Sequence, residues 1–175
     1  MKQTKYIPSG GLAFYEQKEM KKLSELAKKG WVLESFAFLG YKLRKIESQD
    51  IEYSVDYQKN PDDDYFTYFE AAGWSHICST GDGIHIFSAP SGTKPIYSDQ
   101  ETTIDKYERE KKTFEKYTFC FFISTVLLFL LINVSGYGWL GTVLKSICIL
   151  SSICLVFTGM PYTAFAFKVN NLKRS

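Results

Sequence analysis

Little in this sequence speaks for chemistry. Two histidines, four cysteines and five prolines are spread over 175 residues, and the formal net charge is only +2. So small a charge excludes the broad electrostatic footprint with which proteins grip nucleic acid. Cys78, Cys120, Cys148 and Cys154 are spaced in no zinc pattern, and three of them fall in apolar sequence, where they read as buried free thiols. No apolar run follows the charged opening MKQTKYIPSGG, so no signal peptide is expected, and the N-terminal part is expected in the cytosol, where thiols stay reduced. The most informative absence is of charge itself: between Tyr117 and Phe167 the only charged residue is Lys145.

Two apolar runs fill that stretch. Tyr117 to Val134, YTFCFFISTVLLFLLINV, would span about 27 Å as a helix, close to one hydrocarbon thickness. The loop SGYGW follows, with Gly136 and Gly138 as helix breakers and Tyr137 and Trp139 suited to a membrane interface. A second run extends from Thr142 to Phe167, with Lys145 placed to snorkel and Pro161 expected to kink it. Lys106, Arg109, Lys111, Lys112 and Lys116 precede the first run, and Lys168, Lys173 and Arg174 follow the second, while the loop between has neither Lys nor Arg. The positive-inside rule then puts both termini in the cytoplasm of a multi-pass protein of the cell membrane. Ser124, Ser146, Ser151, Ser152 and Gly159 would let the helices approach closely, and no carboxylate, histidine or arginine lies mid-span to carry ions or protons.

The first 90 residues read as strand, helix, strand, strand, twice over. Tyr6-Ile7 open a short strand that ends at Pro8, Gly10 and Gly11. A helix is predicted from Phe14 to Lys29, with Met20, Leu23 and Ala27 on one face and Gly30 as its stop. Strands follow over Trp31–Leu39 and Tyr41–Ile46. In the second copy Ile51, Tyr53, Val55 and Tyr57 alternate with polar residues, Asn60 and Pro61 open a helix, and Phe66, Phe69 and Ala72 form its apolar edge. Gly73 ends it, and Trp74–Ser79 and Ile84–Ala89 form a hairpin around Gly81-Asp82-Gly83. Gly30/Gly73, Trp31/Trp74, Tyr41/Ile84 and Leu43/Ile86 all keep an offset of 43 residues. One such unit has too little core to stand alone; two can share one. The expected fold is α+β: two strand-helix-strand-strand repeats forming one sheet with helices on one face, then a two-helix transmembrane hairpin. The expected division is 1–90 for the duplicated cytosolic domain and 91–103 for a linker broken by Gly92 and Pro95. A juxtamembrane helix and first span cover 104–134, the second span 140–168 and a cytosolic tail 169–175.

A helix ending in Lys29-Gly30-Trp31, the strand Tyr53-Ser54-Val55-Asp56-Tyr57, the Glu70-to-Trp74 segment and a strand ending in Ile86-Phe87, followed by an apolar hairpin, resemble the bacterial domain-of-unknown-function family 2812. Proteins similar to it are often encoded beside PadR-like transcriptional repressors in Gram-positive bacteria. The resemblance implies a regulatory or envelope-stress setting and a PadR-like repressor or a membrane protein as partner, and it carries over no catalytic residues. The repeat is also similar in topology to the paired units of GyrI-like ligand-binding domains, an analogy of fold alone.

Several side chains invite a chemical reading. Alternation puts His76, Cys78, His85 and Phe87 on one face of the second hairpin in either plausible turn register, but nothing nearby clearly supplies a fourth ligand, so no metal is expected. Asp62, Asp63 and Asp64 sit where carboxylates favour a helix N-terminus. Lys18, Lys21, Lys22, Lys28 and Lys29 form either a solvated helix face or a contact for anionic lipid, the latter offset by Glu16, Glu19 and Glu25. Tyr41, Tyr53, Tyr57 and Phe87 could floor a ligand site, with Trp31 and Trp74 at equivalent points of the seam between repeats. The expectation is therefore a non-enzymatic, cofactor-free, membrane-anchored sensor or adaptor that binds a small ligand or protein partner. The alternative is an immunity or self-protection protein that acts through its transmembrane hairpin.

Overall fold

Leu23, Leu43, Ile86 and Phe87 are almost wholly withdrawn from solvent, and the elements that carry them define the fold. The computed structural model describes residues 3–81, 83–134 and 138–174, the side chain of residue 63 excepted. Its elements run β1 (Thr4–Pro8), α1 (Leu12–Ala27), β2 (Trp31–Ala37), β3 (Gly40–Lys45), β4 (Ile51–Tyr57), α2 (Asp63–Ala71), β5 (Ser75–Thr80), β6 (Ile84–Pro90), α3 (Gln100–Val134) and α4 (Trp139–Arg174). The chain divides into two compact units, Met1–Lys106 and Tyr107–Ser175.

In the first unit the strand-helix-strand-strand order occurs twice, in an α+β architecture. Each repeat closes its own antiparallel sheet, β1-β3-β2 and β4-β6-β5. The strands thus form two three-stranded ladders rather than one continuous sheet, and the outer strands β2 and β5 pack together. The duplication reaches into the irregularities. β2 carries a bulge between Leu33 and Ser35, and β5 carries one between His76 and Cys78, so Glu34 and Ile77 are extra residues at the same 43-residue offset. A bulge re-aims every side chain beyond it, and its recurrence at equivalent points marks it as part of the repeat.

The bulges also correct the correspondence. Leu43 pairs with Leu33 and Phe87 with His76, each the pair next to its bulge. Leu43 therefore matches Phe87 and Tyr41 matches His85, rather than Ile86 and Ile84. The reason is the hairpin connection: two residues, Phe38 and Leu39, join β2 to β3, whereas residues 81–83 join β5 to β6. Asp82, expected at the centre of that second turn, lies outside the described residues.

The helices do not share one face. α1 packs on β2 and on β4. It meets the side of the first sheet that carries Tyr41 and the side of the second that carries Tyr53 and Tyr57. α2 lies across the opposite side of the second sheet, where Phe69 stacks on Phe87 at 4.2 Å and Tyr65 reaches Asp56. The physical cause is that β6 is apolar or aromatic on both sides, with Ile84 and Ile86 on one and His85, Phe87 and Ala89 on the other, so both must be covered. Asp56, on the polar set of the β4 alternation, is consequently 1% exposed.

The local stops work largely as the sequence dictates. Gly30 (φ 77°) and Gly73 (φ 86°) take the left-handed conformation after their helices. The cap of α2 differs: the Asp62 side chain accepts from the Tyr65 N–H at 2.9 Å, and Asn60 instead takes a left-handed turn (φ 47°) before Pro61.

In the second unit α3 and α4 form an antiparallel pair. Ser151 and Gly159 lie at the contact: Thr125 Oγ1 is 2.8 Å from Ser151 Oγ, and a Cβ on Gly159 would sit 3.8 Å from Thr118. Phe165 stacks on Phe114, and Lys173 pairs with Glu108 at 2.5 Å. Both helices are long and apolar enough to cross a membrane, and in their most apolar windows 0% and 11% of residues are buried inside the protein. Helices that served as a soluble core would be mostly buried, so a buried soluble hairpin is disfavoured. α4 passes through Pro161 and continues to Arg174. Gly136 and Tyr137, expected in the connecting loop, lie outside the described residues.

Candidate functional site

The six aromatic residues expected to line a ligand site are distributed otherwise. Tyr41, Tyr53 and Tyr57 are buried on the α1 side of the sheets, and each hydroxyl is engaged: Tyr41 donates to Glu19, Tyr57 donates to Glu16 at 3.0 Å, and Tyr53 accepts from the Leu33 N–H at 3.1 Å. Burial holds the Tyr53 phenol above its ordinary pKa, and burial with the Glu19 carboxylate pushes Tyr41 much further up. Phe87 is on the opposite face of the second sheet. Trp74 packs with Phe87 and Ala89 and donates its indole N–H to the Lys94 carbonyl at 3.0 Å. Trp31 is half-buried beneath Lys5 and Lys45, whose ammonium groups lie 5.7 and 5.2 Å from its ring. These six side chains are core or framework and make no common floor.

The histidines and the thiol are separated by the β5 bulge. Strict alternation would group them, but the extra residue Ile77 puts Cys78 opposite Ile86 while His76 stays with Phe87 and His85. Cys78 looks toward the first sheet, where the Phe36 N–H is directed at its sulfur, and burial pushes its thiol up to about 11. The two histidines converge on one hydroxyl: Ser79 Oγ is 2.8 Å from His76 Nε2 and 2.7 Å from His85 Nδ1. His85 Nε2 faces the Gln58 carbonyl at 2.9 Å, and since a carbonyl only accepts, that nitrogen carries the proton. In the neutral ring His85 Nδ1 then accepts from Ser79, making a directed hydrogen-bond chain to the edge of the sheet. Among the described residues no group of three or more His, Cys, Asp or Glu could hold a metal ion.

The side chains that sequence reasoning missed form a buried polar cluster. Glu16, Glu19, Asp56 and Lys106 are each less than a tenth exposed. Glu16 accepts from Lys106 Nζ at 2.5 Å and from Tyr57. Glu19 accepts from the Ser9 hydroxyl at 2.8 Å, the Gly10 N–H at 2.5 Å and Tyr41. Asp56 accepts from Tyr65 at 2.7 Å and from Tyr97. Lys106 lies 5.3 Å from the Tyr57 ring and 5.1 Å from the Tyr97 ring, so it ties the carboxylate of α1 to the segment after β6. The carboxylates have fixed donors aimed at them, which makes the cluster a clamp for α1, β4 and the first turns of α3. One signal was available. Glu16, Met20, Leu23 and Ala27 fall at helical spacing, so Glu16 sits on the apolar stripe, with Glu19 beside it.

The segment 91–99 crosses the α2 side of the second sheet as a strap. Trp74 holds it at Lys94, Tyr97 holds it at Asp56, and Ile96 packs into the Trp74–Phe87–Ala89 cluster. Between the strap and α2 lies a cleft of about 480 Å³, walled by Tyr68, Phe69 and Ala72 on one side and by Lys94, Ile96 and Tyr97 on the other. Its size and aromatic lining suit a small molecule or a short peptide segment. None of the six expected aromatics lines it.

Residues 15–122 match the family described as Protein of unknown function (DUF2812). The chain belongs to this family. The matched span begins within α1, after β1, and extends through the strap into α3, so it takes in β2 to β6 together with Tyr97 and Lys106. No curated protein and no solved structure matches the chain.

Proposed function

We propose that this DUF2812 protein is a membrane-anchored cytosolic sensor or adaptor, without enzymatic activity, whose head takes a small ligand or a partner segment in the cleft between α2 and the strap. One observation carries the reading: the strap that walls the cleft also inserts Tyr97 at Asp56 and leads, within ten residues, to Lys106 on Glu16. A ligand that displaces the strap changes the hold on the first turns of α3. The aromatic lining and the neighbouring Lys94 favour a flat or apolar ligand with an anionic group. α3 and α4 anchor the protein in the cell membrane as two spans, with both termini cytoplasmic by the distribution of Lys and Arg. A protein partner in this scheme is a membrane protein or a PadR-like repressor in a regulatory or envelope-stress setting, the class implied by the resemblance.

The test places a photo-crosslinking amino acid at Tyr68, which is 75% exposed on the wall of the cleft. The full chain is irradiated in native membranes and its intact mass is read. A discrete adduct that disappears in an Ile96→Glu background supports the reading. No adduct, or one indifferent to Ile96→Glu, removes the cleft from consideration.

A further inference from the structure

The repeats differ at one point in a way the fold does not require. The turn of the second hairpin is Gly-Asp-Gly, and Gly81 takes φ 56° at no steric cost. The corresponding turn of the first hairpin is Phe38-Leu39, and Leu39 takes φ 51°, a conformation that side chains resist. Both residues are thrust into solvent, Phe38 at 88% exposure and Leu39 at 71%. The second repeat shows the solution that satisfies folding alone. The first gives up steric ease and exposes two large apolar side chains.

The tip is held firmly. The Ser9 N–H donates to the Leu39 carbonyl at 3.0 Å, and the Tyr6 hydroxyl donates to the carbonyls of Phe38 and Leu39 at 3.1 and 3.2 Å. The same end of the repeat carries the β1–α1 connection, where the Tyr15 ring lies over Gly10 and the Phe14 ring over Gly11. Tyr6, Phe14 and Tyr15 are each about half exposed. Lys18 Nζ lies 5.4 Å from the Tyr15 ring and adds a cation to the patch. This is a convex apolar tip bordered by aromatic rings and a lysine. Such a shape suits the interfacial zone of a bilayer, where rings sit at headgroup depth and a cation meets anionic lipid.

We propose that the Phe38–Leu39 tip, with Tyr6, Phe14, Tyr15 and Lys18, is a wedge that docks the head on an anionic bilayer surface. The proposal rests on the reading that α3 and α4 hold the chain at a membrane. Docking would restrict the head to the membrane surface, beyond what the anchor alone provides.

The experiment uses the full chain in nanodiscs of phosphatidylcholine, with or without phosphatidylglycerol, containing brominated acyl chains. Phe38→Trp is compared with the parent, so that emission from Trp31, Trp74 and Trp139 is subtracted. The expected result is at least twofold quenching of the added tryptophan in anionic discs, weaker quenching in neutral discs, and a several-fold loss with Lys18→Glu. Leu39→Gly relieves the turn, so its thermal midpoint should hold or rise, and in the Phe38→Trp background it should reduce quenching. Incorporation into discs with the added tryptophan unquenched and water-like in emission overturns the wedge while leaving the anchor intact. Equal quenching in both lipids overturns the role of anionic lipid, and failure to incorporate overturns the anchor and the wedge together.

Discussion

Lys106 Nζ sits 2.5 Å from Glu16 Oε1, and the two side chains are 5% and 7% exposed. Charges so buried are costly to separate: removing one partner of a buried pair costs about 3–5 kcal/mol, whereas replacing both with apolar groups costs far less. Lys106→Met and Glu16→Leu should each lower the thermal midpoint sharply, and the double variant should recover much of the loss. Circular dichroism melts of the full chain in detergent measure this. Single variants that melt like the parent would mean that the clamp contributes nothing.

The two helix-ending glycines give a comparison internal to the molecule. A Cβ on Gly30 would stand 2.5 Å from the Ile46 carbonyl oxygen, while on Gly73 the nearest atom would be the Thr93 methyl at 3.5 Å. Both alanine variants carry the left-handed backbone cost, about 1 kcal/mol. Gly73→Ala should lose about that much, and Gly30→Ala clearly more, because the Ile46 N–H also donates to the Gly30 carbonyl and the ladder end must shift. Denaturant midpoints decide the order; equal losses would contradict the close approach.

Periodicity and turn chemistry carried most of the fold, and both have a definite reach. The bounds of β4, Ile51–Tyr57, follow from alternation alone. Alternation gave the wrong environment for Asp56, because it assumes one wet face, and α2 covers that face. It also misplaced Cys78, since a bulge has no signature in a single strand, and the one-residue difference between hairpin turns shifted the Tyr41 and Leu43 correspondences. The clamp was partly legible, in the place of Glu16 on the stripe of α1. Its partner Lys106 lies 90 residues away, and no local pattern connects the two. The strap was read only as a linker because Gly92 and Pro95 exclude regular structure, and irregular backbone held by Trp74 and Tyr97 looks the same in sequence as a loose tether.

Three acidic side chains of the head should make it sensitive to alkali. The Cys78 thiol is pushed up to about 11 by burial, and Tyr41 and Tyr53 are raised for the same reason. A group whose folded pKa is raised contributes stability that is complete below its unfolded value and is lost as pH rises toward its folded value. For Cys78 that window runs from about 9 to about 11, with the tyrosines adding a loss that begins near 10. Thermal midpoints should fall steadily above pH 9, and Cys78→Ala should flatten the first part of the decline. At pH 8, iodoacetamide should modify Cys78 about a hundredfold more slowly than a free thiol. A midpoint that stays level from pH 8 to pH 11 would contradict the burial.

On the acid side the relevant group is His76, whose ring shares the Ser79 hydroxyl with His85. His76 is held below its ordinary pKa, first by burial against Phe66 and Phe87 and then by His85. A histidine with a depressed pKa contributes stability that is present above about 6.5 and is lost as pH falls toward the folded value. Lowering the pH from 7.5 to 5.5 should therefore weaken the contact of α2 with β5 and β6 before the α1 side responds. Hydrogen exchange of residues 65–71 and 75–80, set against that of α1, reports the difference. His76→Gln should remove part of the acid response, because the amide cannot titrate there. Ser79→Ala should increase it, because a proton on His76 Nε2 then loses the hydroxyl that can accept it. Identical acid profiles for the parent and His76→Gln would show that His76 plays no part in how this face responds to protons.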